Sequence, residues 1–240
     1  MFTTIWKLIL ASTFVFLVPF GAQAAGLGGT YSQGARMGQL VKFSVKGFWT
    51  KSGEGQLMLG SEGAPYSIFS TDSEGKVIEK ILNPWAFSAE EPMWDAVSAN
   101  VGEYVVMEYD QSQIGNSFAQ DTDYTVTSVA PVTRTNPGLG GCQTVKPSTS
   151  WHDGGKRVGR IVKASYKGAV FKTYEIMLQL GNSGNQFLEM SIVDEGIFNC
   201  AMRALKSGKR VTIDYVEYVV QLKRDTNYDI YGISLPESLD

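Results

Sequence analysis

Apolar and polar positions along the chain fall into two matching series of short alternating runs. In the first, Val41, Phe43 and Val45 alternate with Lys42, Ser44 and Lys46, the two-residue period of a strand with one buried face. The alternation slips further back, where Met37 and Leu40 are both apolar and three apart beside Gly38. Val158, Ile161 and Val162 slip in the same way around Gly159. A phase slip at a glycine predicts a bulge or sharp coil that lets one strand serve two sheets. Second strands are expected at Gln56–Leu59 and Met177–Leu180, and third strands around Trp85, Phe87 and Ser88 and around Leu188, Met190 and Ser191.

The period then changes. Met93, Val97 and Val101, like Ile197, Ala201 and Leu205, recur at i, i+4 and i+8 and form the apolar stripe of a helix. Ser88 with Glu91, and Ser191 with Asp194, have the spacing of N-caps followed by an acidic residue at the third helical position. Pro92 is tolerable in a first turn, and Gly102 and Gly208 stand where C-terminal caps belong. Fourth strands follow, with Val105, Met107 and Tyr109, and Val211, Ile213 and Tyr215, facing inward. Fifth strands are introduced by Asp121-Thr122-Asp123-Tyr124 and Asp225-Thr226-Asn227-Tyr228.

The two series are one sequence written twice. Arg36 to Gly60 recurs without a gap as Arg157 to Gly181, 121 positions on, with 12 of 25 residues identical, among them Arg36/Arg157, Gly38/Gly159, Glu54/Glu175 and Lys46/Lys167. Each copy reads β-β-β-α-β-β, the order of the OB-fold. The fold class expected is therefore mainly β with one short helix per repeat, arranged as tandem OB-fold-like five-stranded barrels. Doubly wound α/β is excluded because helices do not alternate with strands. The expected organisation is a signal peptide at 1–24, repeat one at 25–130, a linker at 131–150 and repeat two at 151–240. Repeat one carries an insertion at 61–82, where Ser73-Glu74-Gly75 between apolar pairs predicts a small hairpin.

The first residues bear on location. Lys7 precedes an apolar run from Leu8 to Val18 and then Ala22-Gln23-Ala24, the layout of a cleaved export signal, with an uncleaved anchor as the alternative. The expected location is periplasmic or secreted. Cys142 and Cys200 are then a candidate disulfide in an oxidising compartment, the alternative being that Cys200 is a small core residue. Charge is uneven: residues 25–137 carry 7 Lys+Arg against 13 Asp+Glu, a net of −6, and residues 138–240 carry 13 against 11, a net of +2. That balance lacks the basic footprint of a nucleic-acid-binding domain, so such a partner is not expected.

Candidate chemistry is sparse. The one histidine, His152, lies between Trp151 and Asp153 and reads as a surface residue rather than a catalytic base. One His and two distant Cys make no metal set, and Gly138-Leu139-Gly140-Gly141 lacks the strand, helix and Lys-Ser/Thr ending of a phosphate loop. No enzyme, cofactor or metal is expected. The candidate binding residues are lysines: Lys42, Lys46 and Lys51 in repeat one and Lys163, Lys167 and Lys172 in repeat two, with Trp49 beside the first set. They read either as a solvated, edge-protecting face or as a ridge for a polyanion or glycan on each barrel. Trp49, Tyr31 and Phe48 could stack on a ring, although aromatics at such spacing also suit a core.

The opening R-x-G-x-[LIV]-V-K-x-S-x-K-G with its K-x-x-E continuation, together with the later D-T-x-Y, resembles a pattern in poorly characterised small bacterial envelope proteins. Some of these carry a phosphogluconate dehydrogenase label. The resemblance spans both repeats and implies no activity, and the label does not suit a chain without a G-x-G-x-x-G after a strand. The expected function is an exported, non-enzymatic binding or adaptor protein of the envelope. The alternative is an accessory of a secretion or conjugation apparatus that acts by protein contacts, through the repeat-one insertion.

Overall fold

The computed structural model describes residues 29–65, 67–113, 120–147, 152–169, 171–182, 184–220 and 224–237; the expected export signal lies outside them. Among the described residues the protein is mainly β, with two helices. The first half contains β1 (Thr30–Lys46), β2 (Ser52–Leu59), β3 (Ser67–Thr71), β4 (Val77–Ile81), β5 (Pro84–Ala89), α1 (Glu91–Ser98), β6 (Tyr104–Ser112) and β7 (Tyr124–Pro131). The second contains β8 (His152–Lys167), β9 (Thr173–Leu180), β10 (Phe187–Ile192), α2 (Glu195–Ser207), β11 (Val211–Tyr218) and β12 (Tyr228–Ser234). Apart from the β3–β4 hairpin, the element order is the same in both halves.

Pairing in each half returns to its starting strand. The first circuit runs β1–β2–β5–β7–β6–β1 and the second β8–β9–β10–β12–β11–β8, with a short parallel step at β5–β7 and at β10–β12. The long first strands make this possible, because one stretch of each pairs with two partners. Their register shifts lie between Leu40 and Lys42 and between Ile161 and Lys163, so the bulges fall at Val41 and Val162, not at the preceding glycines. Gly38 and Gly159 have a different duty. A Cβ at either would collide with the carbonyl oxygen of Met58 or Gln179 on the second strand, so these sites admit the close strand approach only without a side chain.

Inward alternation holds in β6 and β11, where Val105, Met107, Tyr109, Val211, Ile213 and Tyr215 are buried. It fails at the outer end of β1. Val41 and Val45 are 36% and 44% exposed, because among the described residues one edge of β1 there has no neighbouring strand, while Val162 is fully buried. One core, with Leu40, Leu57, Trp85 and Phe87, stays within the first half. The other fills the second half and draws in Ala35, Met37 and Val106 from the first. A seam joins them: β1 pairs antiparallel with β8 from Ser32↔Lys167 to Arg36↔Lys163, making ten strands one continuous sheet.

The helix caps differ from expectation. Ser88 and Ser191 are fully buried strand residues rather than caps. The N-cap of α1 is Glu90, without a side-chain hydrogen bond, and that of α2 is Asp194, whose carboxylate accepts from the Ile197 amide at 3.0 Å. Pro92 sits in the first turn, and Gly208 is the left-handed C-cap of α2 at φ 63°. Helix α1 ends before Val101, which is exposed, and its C-cap is Ala99 rather than Gly102.

Cys142 and Cys200 form a disulfide that ties the connecting segment to α2. The segment also runs along β12: the Cys142 carbonyl accepts from Ile233 N at 2.8 Å, and Thr144 N donates to Tyr231 O at 2.8 Å. It is a packed strap rather than a tether. His152 opens β8 opposite Tyr218, so its backbone belongs to the sheet, and its side chain lies outside what is described. Among the described residues no helix is long and apolar enough to cross a membrane.

Candidate binding surface and its buried supports

The residues shared by both repeats build three things: a buried acidic hub, a caged arginine and a lysine-edged hairpin. In the first half, Glu54 on β2 is buried and accepts from Ser52 Oγ at 2.6 Å, the Asp121 amide at 3.1 Å and Ser88 Oγ at 2.8 Å. Ser88 Oγ also lies 3.0 Å from Thr122 Oγ1, and Thr122 caps the turn into β7 through Tyr124. The second half repeats the set: Glu175 accepts from Ser191 Oγ at 2.7 Å, and Ser191 Oγ lies 2.9 Å from Thr226 Oγ1. These hubs pin the second, third and fifth strands of each half where the parallel pairing is only two residues long.

Burial pushes the Glu175 carboxyl above its ordinary value, against the opposing pull of the Ser191 hydroxyl, and its Oε1 lacks a well-formed hydrogen bond. Burial likewise raises Asp229, opposed by its ion pair with Arg224. A carboxyl that holds its proton more tightly when folded adds stability that is full below the unfolded value. That stability is lost as pH rises through the folded value. Glu175→Gln is therefore expected to flatten the decline in stability above about pH 4.3, the ordinary Glu value, while matching the wild type in acid. Denaturant titrations at a series of pH values check this; an unchanged slope would count against it.

Arg36 is buried in a box of rings, its guanidinium carbon 4.5 Å from the centroid of Trp85, 5.0 Å from Tyr109 and 4.8 Å from Tyr124. Arg157 repeats this more loosely over Tyr215 and Tyr228, at 5.4 and 5.9 Å, because Leu188 stands where repeat one has Trp85. The hubs and boxes were visible only as shared letters: Arg36/Arg157, Glu54/Glu175 and the repeated Asp-Thr-x-Tyr.

The lysine sets part company. Lys42 and Lys51 are exposed, and Lys46 is exposed but paired with Asp121. Lys163 sits in the seam, only 14% exposed and 3.6 Å from Glu189, and burial first and Arg36 second pull its ammonium below the ordinary range. Lys167 pairs with Asp225 at 2.6 Å, and Lys172 lies over the Tyr166 ring at 5.2 Å. Of the second set, Lys163 is taken into the seam, while Lys167 is paired as Lys46 is and Lys172, like Lys51, stays exposed. At the β1–β2 tip Trp49 is 92% and Phe48 88% exposed, their rings packed edge to face at 5.2 Å. They belong to no core. A groove of about 780 Å³ lies between the halves, but its Arg134 is held by Glu62 and it mixes both charge signs. No group of three or more potential metal ligands occurs among the described residues.

A family profile described as Domain of unknown function (DUF8785) matches residues 29–136, the first half. No curated protein matches the chain. Two solved structures of the single-stranded DNA binding protein from Thermus aquaticus are similar. A deletion mutant is 15% identical with a TM-score of 0.25, covering 88% of this chain and 96% of that one. The wild type is 13% identical with a TM-score of 0.24, covering 88% and 94%. At these TM-scores the likeness decides neither fold nor ligand.

Proposed function

We propose that the protein is a non-enzymatic binding protein of the cell envelope, built from two OB-type barrels, that holds an anionic glycan at the β1–β2 tip of the first. The barrel reading is supported by two five-strand circuits with bulged first strands and a helix between the third and fourth strands of each circuit. An envelope location is supported by the leader-like first residues and by a disulfide, which persists in oxidising compartments. The observation that carries the ligand is the exposed Phe48–Trp49 pair, with Lys51 beside it and Lys42 further down the strand. An exposed aromatic pair offers a stacking surface, and two local cations on a half of net charge −6 suit a sparsely charged sugar chain better than a dense polyanion.

Trp49→Ala is expected to weaken binding of acidic envelope oligosaccharides at least tenfold, about 1.4 kcal/mol, without shifting thermal unfolding. Calorimetric titration reads the first and a melting curve the second. Neutral glycan and an oligonucleotide of matched charge are the comparison ligands. Equal affinity in wild type and variant would sink the reading.

A second reading, an accessory of a secretion or conjugation apparatus, is favoured by the β3–β4 hairpin. Phe69 is 75% and Val77 66% exposed on one face of a two-stranded ribbon, which is marginal without a partner. If no glycan binds, co-purification of envelope proteins through this hairpin becomes the measurement.

A further inference from the structure

The seam between the halves is asymmetric. It joins the front of β1, 32–36, to the rear of β8, 163–167. The 121-residue repeat therefore leaves a counterpart of each partner: the rear of β1 at 42–46 and the front of β8 at 153–157. Among the described residues, 42–46 pairs only with β2 and 153–157 only with β11, so each has a bare edge. We propose that these two edges bind each other between copies, in the register of the seam, so that the protein assembles head to tail with itself.

The residues at the bare edges fit that register. Ser44 falls opposite Gly155, as Ser165 falls opposite Gly34 in the seam. A Cβ on Gly34 would overlap the Ala164 carbonyl and crowd Ser165, so the seam admits only glycine there, and Gly155 preserves that freedom. Within its own half Gly155 needs it less, since an added Cβ would meet nothing closer than Tyr215 Oη at 3.3 Å. Lys46 falls opposite Asp153 where the seam has Lys167 opposite Ser32, which turns a neutral contact into an attractive one. Lys42 falls opposite Arg157 as Lys163 does opposite Arg36, and in both cases the arginine lies over rings. Phe43 and Lys156 replace the small pair Ala164 and Ala35, with a lysine stem able to lie along a ring. Val158 is 38% exposed while its seam counterpart Met37 is 2% exposed, the difference a docked partner would remove.

A head-to-tail contact that does not close propagates into an open array. It is weaker than the seam, which has further support from the Ser61 amide on Gln179 and from Asn83 on the Gly184 carbonyl, contacts that flank the repeat-one insertion. Sedimentation of the purified protein over a concentration series is expected to show a mass that climbs without stopping at two copies. Gly155→Ala should hold the mass at one copy at every concentration with unchanged thermal unfolding, and Asp153→Lys should weaken assembly at least tenfold. Gly34→Ala should instead lower the melting temperature, marking the seam. A wild type that stays at one copy up to its solubility limit, one that plateaus as a closed dimer, or a Gly155→Ala protein that still assembles would overturn the proposal.

Discussion

The Cys142→Ala/Cys200→Ala protein is expected to unfold about 10 °C below the wild type. The disulfide closes a loop of 58 residues, for which the chain-entropy estimate is about 4 kcal/mol. Against a total of about 5–15 kcal/mol for a typical folded protein, that is a large fraction. The structure explains why the bond does more than restrict the unfolded chain. It fixes the strap whose Cys142 and Thr144 backbones pair with β12 beyond the reach of β10, which contacts β12 at only two register positions. Both cysteines are buried, and without the bond the strap would be held by its backbone bonds to β12, by Arg203 on the Pro137 and Gly138 carbonyls and by the burial of Leu139. Melting curves with and without reductant check the effect; a shift of under 2 °C would mean those contacts suffice.

Glu54→Ala is expected to cost about 4 kcal/mol, because the hub has one acceptor and several donors. Its removal leaves the Ser52 and Ser88 hydroxyls and the Asp121 amide without their carboxylate, in a site where Ser88 is fully buried. Glu54→Gln keeps one carbonyl oxygen for these donors and should lose about half as much. The Asp121 loop also carries the partner of Lys46 at the end of β1, so its loosening should reach the base of the β1–β2 hairpin. Denaturant unfolding of the three proteins checks the order wild type, Gln, Ala. An alanine variant as stable as the glutamine one would show that the hydroxyls find other acceptors.

Ser88 shows how a correct pattern can carry a wrong local meaning. A serine three residues before an acid matches a helix N-terminus, yet the same serine is also a fully buried strand residue. Burial opposite Glu54 decides between them. Asp194 could have been read as the cap, since a short carboxylate before an apolar stripe suits that role as well as serine. The lysines teach the complementary lesson. Lys42 and Lys163 are repeat equivalents with the same valine before them and the same serine two positions on, but Lys42 is exposed and Lys163 only 14% exposed.

By itself the sequence determined the repeat, the order of strands and helix in each copy, the inserted hairpin and the pairing of the two cysteines. Those features rest on period, on glycine and on a single possible partner, all of which are local or self-referential. Only the tertiary structure decided which copy of each shared residue meets water. The seam takes the front of one first strand and the rear of the other, and that choice depends on long-range contacts no local period records. It is the reason Lys42 lies open while Lys163 is engaged, and among the described residues two edges remain bare.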